Sequence, residues 1–269
     1  MVSWDEAVDR IKAGPPMELD LQRARLPRFS SIPIVILGAP GAGKTRLWSE
    51  LTGHSDPRRM SIATDDGYLV TRNKLKAAMC TVPGQNSRPR WHALDELFGP
   101  DSTVSGVIFV ASFGWDHIWP RSKNTVAGSL DDFSHESLRR WNRNVELENF
   151  RDTCSRIVRK YDESGPRRSP QWLLVLANKV DLYWDEVGAA ADYYFRDSNS
   201  PFVQEAEALV KQLGIRGPSV HHLPVAIEAD DYHYVSRRGA LSQQSQLNAP
   251  AAEASLRCLI ETMEELSHG

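Results

Sequence analysis

The run Gly38-Ala39-Pro40-Gly41-Ala42-Gly43-Lys44-Thr45, followed by Arg46, constrains this chain more than any other stretch. It comes after the apolar segment Ile32-Pro33-Ile34-Val35-Ile36-Leu37 and before Leu47-Trp48-Ser49-Glu50-Leu51. Strand, glycine loop and helix in that order make a phosphate-binding loop of the pattern G-x-x-x-x-G-K-[ST]. Glycines allow successive backbone N–H groups to turn inward on a polyphosphate, where side chains would block the approach. In that pattern Lys44 reaches the β- and γ-phosphates, and the Thr45 hydroxyl ligates Mg2+. The helix that begins near Gly43 adds the positive end of its dipole. Residues Gly38 to Arg46 therefore read as a nucleotide site.

The rest of the chain must supply a sheet around that loop. With 269 residues there is room for one large domain with extensions, here residues 1–30 as an N-terminal helical arm and 31–269 as the main domain. In the arm, Trp4, Val8 and Ile11 fall at helical spacing before Gly14-Pro15-Pro16. A hairpin is expected over Tyr68 to Thr71 and Leu75 to Val82, and a helical segment carries His92, Leu94, Leu97 and Phe98. Val104 to Phe113 and Trp172 to Ala177 are near-continuous apolar runs of the buried parallel-strand kind, and His221 to Ile227 is a further strand. Helices are expected around Phe150 to Tyr161, over Phe202 to Leu213 and over Ala251 to Leu266. Residues about 114–135, with Trp115, Trp119 and Phe133, read as an aromatic insertion, either a protein interface or a local mini-core. Residues 228–249, rich in Ser, Gln and charge, read as a loop. Strands alternating with helices predict an α/β fold of three layers, a mostly parallel sheet flanked by helices.

Composition narrows the partners. A formal charge of −3 gives no whole-chain drive towards nucleic acid or an anionic membrane. Cys80, Cys154 and Cys258 are widely spaced and form no metal-binding pair, which suits reduced thiols and a cytoplasmic location. No apolar stretch approaches a membrane span, Val2 stands where myristoylation needs glycine, and the Leu-Ser-His-Gly ending is no prenylation box. No direct membrane anchor is expected, so a protein partner would have to localise the chain.

The second signature, Asn178-Lys179-Val180-Asp181, directly follows the Trp172 to Ala177 strand. An Asp carboxylate accepts two hydrogen bonds from guanine, at N1–H and at the 2-amino group. Adenine offers neither and would leave Asp181 desolvated and unpaired. The aliphatic stem of Lys179 can lie along the base, and Asn178 can tie this loop to its neighbours.

With both signatures in place, the chain resembles Ras-like small GTPases in element order over roughly residues 32 to 266. The resemblance implies GTP and GDP as ligands, Mg2+ as cofactor, and a switch read by a protein effector or activating partner. It also implies that the backbone N–H of Ala226, in Pro224-Val225-Ala226-Ile227, meets guanine O6. In the second switch the family writes D-x-x-G-Q where this chain has Thr81-Val82-Pro83-Gly84-Gln85. That version is similar to the polarity GTPases of gliding bacteria and related prokaryotic proteins. By the same resemblance Gly84 senses the γ-phosphate through its N–H and Gln85 orients the attacking water. In the first switch Thr64 would supply hydroxyl and N–H to metal and γ-phosphate, with Ser61 and Thr71 as alternatives. Thr81 cannot supply the charge of the missing aspartate; Asp65, Asp66 or Asp116 could restore it. Arg58, Arg59, Arg88 and Arg90 are candidates for a charge-neutralising arginine. Two other readings stand beside this one: a nucleotide-binding scaffold with little hydrolysis, and a P-loop ATPase.

Overall fold

The computed structural model describes residues 1–14, 32–53, 65–70, 75–85 and 87–268. In chain order these form α1 (Trp4–Ala13), β1 (Ile32–Gly38), α2 (Lys44–Thr52), β2 (Asp65–Val70), β3 (Lys76–Thr81) and α3 (Arg88–Leu97). Then come β4 (Gly106–Ala111), α4 (Pro120–Ser129), α5 (His135–Ser164), β5 (Trp172–Asn178), α6 (Val187–Ala191) and α7 (Pro201–Leu213). The chain closes with β6 (Ser219–Val225), β7 (Tyr232–Ser236), β8 (Gly239–Gln243) and α8 (Ala249–His268).

Six strands make one sheet in the order β2-β3-β1-β4-β5-β6, parallel except for the antiparallel edge strand β2. Successive side chains of a strand face opposite sides, and both faces here are covered. Val35, Leu37, Val107, Phe109, Leu173 and Val175 pack against α3, α5 and α7. Ile34, Ile36, Ile108, Val110, Leu174 and Leu176 pack against α2 and α8. The expected three-layer α/β architecture is what forms. Because β1 has β3 on one side and β4 on the other, the loops after these strands diverge and open a crevice at their carboxyl ends.

The N-terminal helix belongs to this body. Ser3 Oγ caps it by accepting the Glu6 N–H at 3.2 Å, and the helix packs on α8 and on the otherwise open edge strand β6. Arg10 bridges Glu6 and Glu261 at 2.6 and 2.5 Å.

Two sequence expectations need correction. The helix expected around Phe150 starts much earlier, at His135, where Ser134 Oγ accepts the Ser137 N–H. Its first half was hidden because the inward positions Asn142 and Glu146 are polar yet buried. The stretch 228–249 is not simply a loop: β7 and β8 form a hairpin in which Tyr232 and Tyr234 point inward and His233 and Val235 outward. That hairpin completes a satellite core with the aromatic insertion. Trp115 meets Tyr232 edge-on at 5.3 Å, Phe133 lies 6.0 Å from Tyr234, and Tyr234 OH donates to Lys123 O. Of the two readings of the insertion, the mini-core describes where Trp115 and Phe133 sit. No described helix is long and apolar enough to cross a membrane.

Phe150 is fully buried and stacks on Phe202 at 3.9 Å, joining α5 to α7. Phe150→Ala should cost about 3–5 kcal/mol and lower the melting temperature by about 5–10 °C. Thermal denaturation followed by circular dichroism checks this; a shift within a degree or two would contradict the packing described.

Candidate functional site

The phosphate loop caps β1 and enters α2 through Gly43, whose φ of 104° lies in the left-handed region. A side chain there would strike Asn178 Nδ2 at 2.4 Å, so glycine is required both by the turn and by the close approach. Lys44 is buried and donates from Nζ to Gly38 O at 3.0 Å and Ala39 O at 2.7 Å. Burial, helped by the nearby Arg90 charge and opposed by Asp116, pulls its pKa down to about 7. A polyanion at this loop would restore the ammonium. Thr45 is half-buried in the first turn of α2.

The second signature stands at the end of β5, two strands away across β4. Asn178 Nδ2 donates to Ala42 O at 2.8 Å, and Asn178 Oδ1 accepts the Ile227 N–H at 3.4 Å. Lys179, held at a left-handed φ of 61°, donates to Gly41 O at 2.9 Å and Trp115 O at 2.6 Å. Burial lowers its pKa, against the opposing charges of Asp116 and Asp181. Asp181 is 2% exposed, and its Oδ1 has no hydrogen-bond partner among the described residues. Burial pushes its pKa up to about 6. These side chains share a cavity of about 330 Å3 with Gly43, Ile227 and Tyr232.

Two expected contacts are arranged differently. The Ala226 N–H is taken by Ser255 Oγ of α8 at 3.0 Å, and Ala226 does not line the cavity. Ile227 and Glu228 line it instead. Arg46 lines the cavity but pairs with Glu50 at 3.2 Å and with Glu228.

On the other flank of the loop, β3 ends at Thr81, level with Ile36 of β1. Thr81 is fully buried and its hydroxyl has no partner among the described residues. The chain then passes against the phosphate loop so closely that a Cβ on Gly84 would sit 2.6 Å from Lys44 Nζ and from Pro40 N. Arg90 holds it there, an arrangement the sequence did not suggest. This buried guanidinium donates to Gly84 O at 3.2 Å, reaches Pro83 O at 3.4 Å and pairs with Asp152 at 3.1 Å. Arg90 is therefore committed to the loop's carbonyls, whereas Arg88 is exposed. Gln85 lies beside Pro40 in a separate cavity. Thr64, Ser61, Thr71, Arg58 and Arg59 lie outside the described residues, as do the side chains of Asp65 and Asp66.

The turn after β4 closes the site from above. Glu146 of α5 accepts the Ser112 N–H at 2.7 Å and the Tyr194 hydroxyl at 2.8 Å; that hydroxyl in turn accepts the Phe113 N–H at 2.8 Å. Asn142 donates to Gly114 O at 2.7 Å. Burial and the Asp116 charge push Glu146 up to about 8. This network sets residues 112–117, so that the His117 N–H reaches Gly41 O at 3.0 Å. Asp116 is buried, faces Lys44 and Lys179 electrostatically, and is pushed up to about 6 by burial. Asn142 and Glu146 share one helix face with Leu138 and Phe150, at four-residue spacing, which is the one signal that could have marked them.

No protein-family model matches this sequence, and no curated protein sequence matches it. Among solved structures, the chain is similar to the mammalian SRP receptor, at TM-score 0.48 and 15% identity over 87% of this chain and 99% of that one. It is also similar to a mutant NFeoB of S. thermophilus bound to GMPPNP, at TM-score 0.37 and 15% identity over 71% of this chain and 55% of that one. Neither likeness bears on substrate or partner.

The Asp181 shift has a sign. Its folded pKa, about 6, lies above the unfolded value, so the neutral form is favoured by the fold. The stability it contributes is complete below about pH 4 and is lost as pH rises through about 6. Asp181→Asn lacks that loss. The stability of the variant relative to the parent should therefore rise between about pH 4 and 7, by up to about 3 kcal/mol. Urea midpoints measured without nucleotide test this; a pH-independent difference would mean that Asp181 is not desolvated.

Proposed function

We propose that this protein is a guanine-nucleotide switch that binds GTP and GDP and hydrolyses GTP to GDP and phosphate. The observation that carries the reading is the buried, half-unpartnered Asp181 carboxylate in a cavity walled by the glycine of the phosphate loop. A base bearing two adjacent N–H donors would satisfy it; adenine would not.

In this reading the loop amides and Lys44 bind the β- and γ-phosphates, and Lys44 leaves the carbonyls of Gly38 and Ala39 to do so. Oxygen donors and phosphates suit Mg2+, a hard cation. Thr45 is the described residue that would hold it, with Thr64 expected to join. No group of three or more His, Cys, Asp or Glu side chains among the described residues forms a metal site of its own. Most of the coordination would therefore come from the nucleotide and water. When bound there, Mg2+ would supply charge neutralisation for the phosphates. Gln85 orients the water that attacks the γ-phosphorus as its bond to the bridging oxygen breaks. The Gly84 N–H reports whether the γ-phosphate is present, and Arg90 carries that position to α3. Partners would then read the segments around 60–66 and 84–92.

A scaffold with very slow hydrolysis is the second reading, favoured by one observation: Thr81, uncharged and with no partner for its hydroxyl among the described residues, stands where Ras-like GTPases have their metal-facing aspartate. Single-turnover phosphate release, with and without candidate partners, separates the two. Under release conditions Gln85→Ala should slow hydrolysis by at least about tenfold while leaving GDP affinity close to the parent's. Absence of release under every condition supports the scaffold.

Base recognition has its own test. GTP should displace a fluorescent GDP at least about a hundredfold better than ATP. Asp181→Asn should move the preference towards xanthine nucleotides, whose 2-oxo group can accept from the new amide. Equal displacement by ATP would leave a P-loop ATPase as the better description.

A further inference from the structure

Among the described residues four large apolar side chains stand exposed, Met1, Val210, Ile215 and Val235. Three of them gather at the amino-terminal edge of the sheet, the end opposite the crevice. Ile215 is the extreme case, fully exposed in the turn between α7 and β6. Gly214, at a left-handed φ of 62°, donates its N–H to Val210 O and ends α7. In such a cap an apolar residue just beyond the glycine commonly folds back on the last turn of the helix. Here Ile215 points into solvent instead, and Val210 stays 46% exposed. Met1 stands nearby: its amino group pairs with Glu265 and acts on His221, close to the start of β6.

The same edge carries free cations. Arg167 and Arg168, before β5, and Lys211 and Arg216, before β6, are exposed, and their side chains bond to no described residue. By contrast Arg10, Arg139, Arg151, Arg156 and Arg196 all have carboxylate partners. The two turns are neighbours, because Gln171 O accepts the Ser219 N–H at 3.0 Å. Beside them lies a polar cavity of about 430 Å3, lined by Ser102, Thr103, Ser105, Arg167, Arg168 and Gln171. Asp101 also lines it and acts on the buried Lys160. Glu163 is paired with Arg159, which leaves Asp162 and Glu207 as exposed acids without an ion pair at this end.

We propose that this edge docks on an anionic phospholipid surface. Ile215 enters the headgroup layer with Val210 and Met1 beside it, and Arg167 and Arg168 take a headgroup phosphate at the cavity. A stable protein interface needs about 800 Å2 on each partner around a packed apolar centre. Separate apolar tips offer no such centre, whereas a bilayer accepts single side chains and gains from each nearby Lys or Arg. The formal charge of −3 for the whole chain conceals this local excess of cations. Docking by this edge leaves the crevice at the carboxyl end facing away from the lipid. It does not depend on the nucleotide reading.

Co-sedimentation of the full chain, without nucleotide, tests it with vesicles of phosphatidylcholine alone or with about one third phosphatidylserine. The anionic vesicles should bind at least about tenfold more tightly, and about 0.5 M salt should remove most of that difference. Ile215→Ser should weaken binding to them at least about fivefold, and Arg167→Gln combined with Arg168→Gln at least about tenfold. Val235→Ser, at the exposed apolar side chain remote from this edge, should leave binding unchanged. Should a variant fail to fold, hydrogen exchange on the parent chain with vesicles still locates the contact, as slowed exchange at 165–171 and 210–217. Equal binding to both vesicles, no binding at millimolar lipid, insensitivity to Ile215→Ser or protection confined to other segments would overturn the proposal. So would glycerol 3-phosphate that binds through the same two arginines as tightly as the vesicles do, which would assign the cavity to a soluble ester.

Discussion

The Asn178 carboxamide donates to Ala42 in the phosphate loop and accepts from Ile227 after β6, and both halves of the pocket depend on that double tie. Three loops, from β1 and from the neighbouring strands β5 and β6 beyond β4, meet at one side chain. Each carbonyl or amide it satisfies would otherwise be a buried orphan, at about 1–3 kcal/mol. Lys179 repeats the device one residue on, tying Gly41 to Trp115. Two consecutive residues thus lock the glycine loop to the loops after β4, β5 and β6. In the nucleotide reading proposed here, the distance between a phosphate and a base is then set by the sheet, since the strands that carry the loops are spaced by hydrogen bonds.

Buried charge is the other constraint. Lys44, Asp116, Asp181 and Glu146 are buried and Lys179 half-buried around one loop, and desolvation shifts each towards its neutral form. Such a site is held open at a cost in stability, which a ligand of matching charge and donors offsets. The scaffold that bears this cost is rigid: the stacked Phe150 and Phe202, the α5 network on Glu146, and Arg90 clamped between Asp152 and the Gly84 carbonyl.

What was legible in the sequence is what depends on local chemistry. The glycine loop, Asn178 to Asp181 and the buried strands carry their meaning in adjacent residues, and the structure assembles them at the carboxyl edge of one sheet. What was not legible depends on partners far along the chain. Ala226 loses its N–H to Ser255, a helix residue 29 positions later. Arg90 finds its counter-ion 62 positions on, at Asp152. Asn142 and Glu146 broke the apolar period of α5 because their bonds go to the turn after β4. The β7–β8 hairpin hid for a related reason. Only Tyr232 and Tyr234 alternate inward, and a two-residue alternation amid Ser, Gln and Arg does not stand out until the aromatic insertion is there to receive it.

The departure at Thr81 gains meaning from its surroundings. An aspartate there would add another carboxylate to a loop already flanked by buried Asp116 and Asp181, with Lys44 and Lys179 as the shared counter-charges. Thr81 avoids that, and among the described residues the carboxylate whose charge acts on Lys44 is Asp116, on the β4 flank. Binding at the proposed site would then couple to protons with opposite signs at its two ends. Phosphates raise the depressed pKa of Lys44 and draw a proton in near pH 7, whereas base donors lower the raised pKa of Asp181 and release one near pH 6. The affinity of this chain for a nucleotide should therefore strengthen from acid pH up to about 6 and weaken again above about 7, a profile set by burial at both ends of the one pocket.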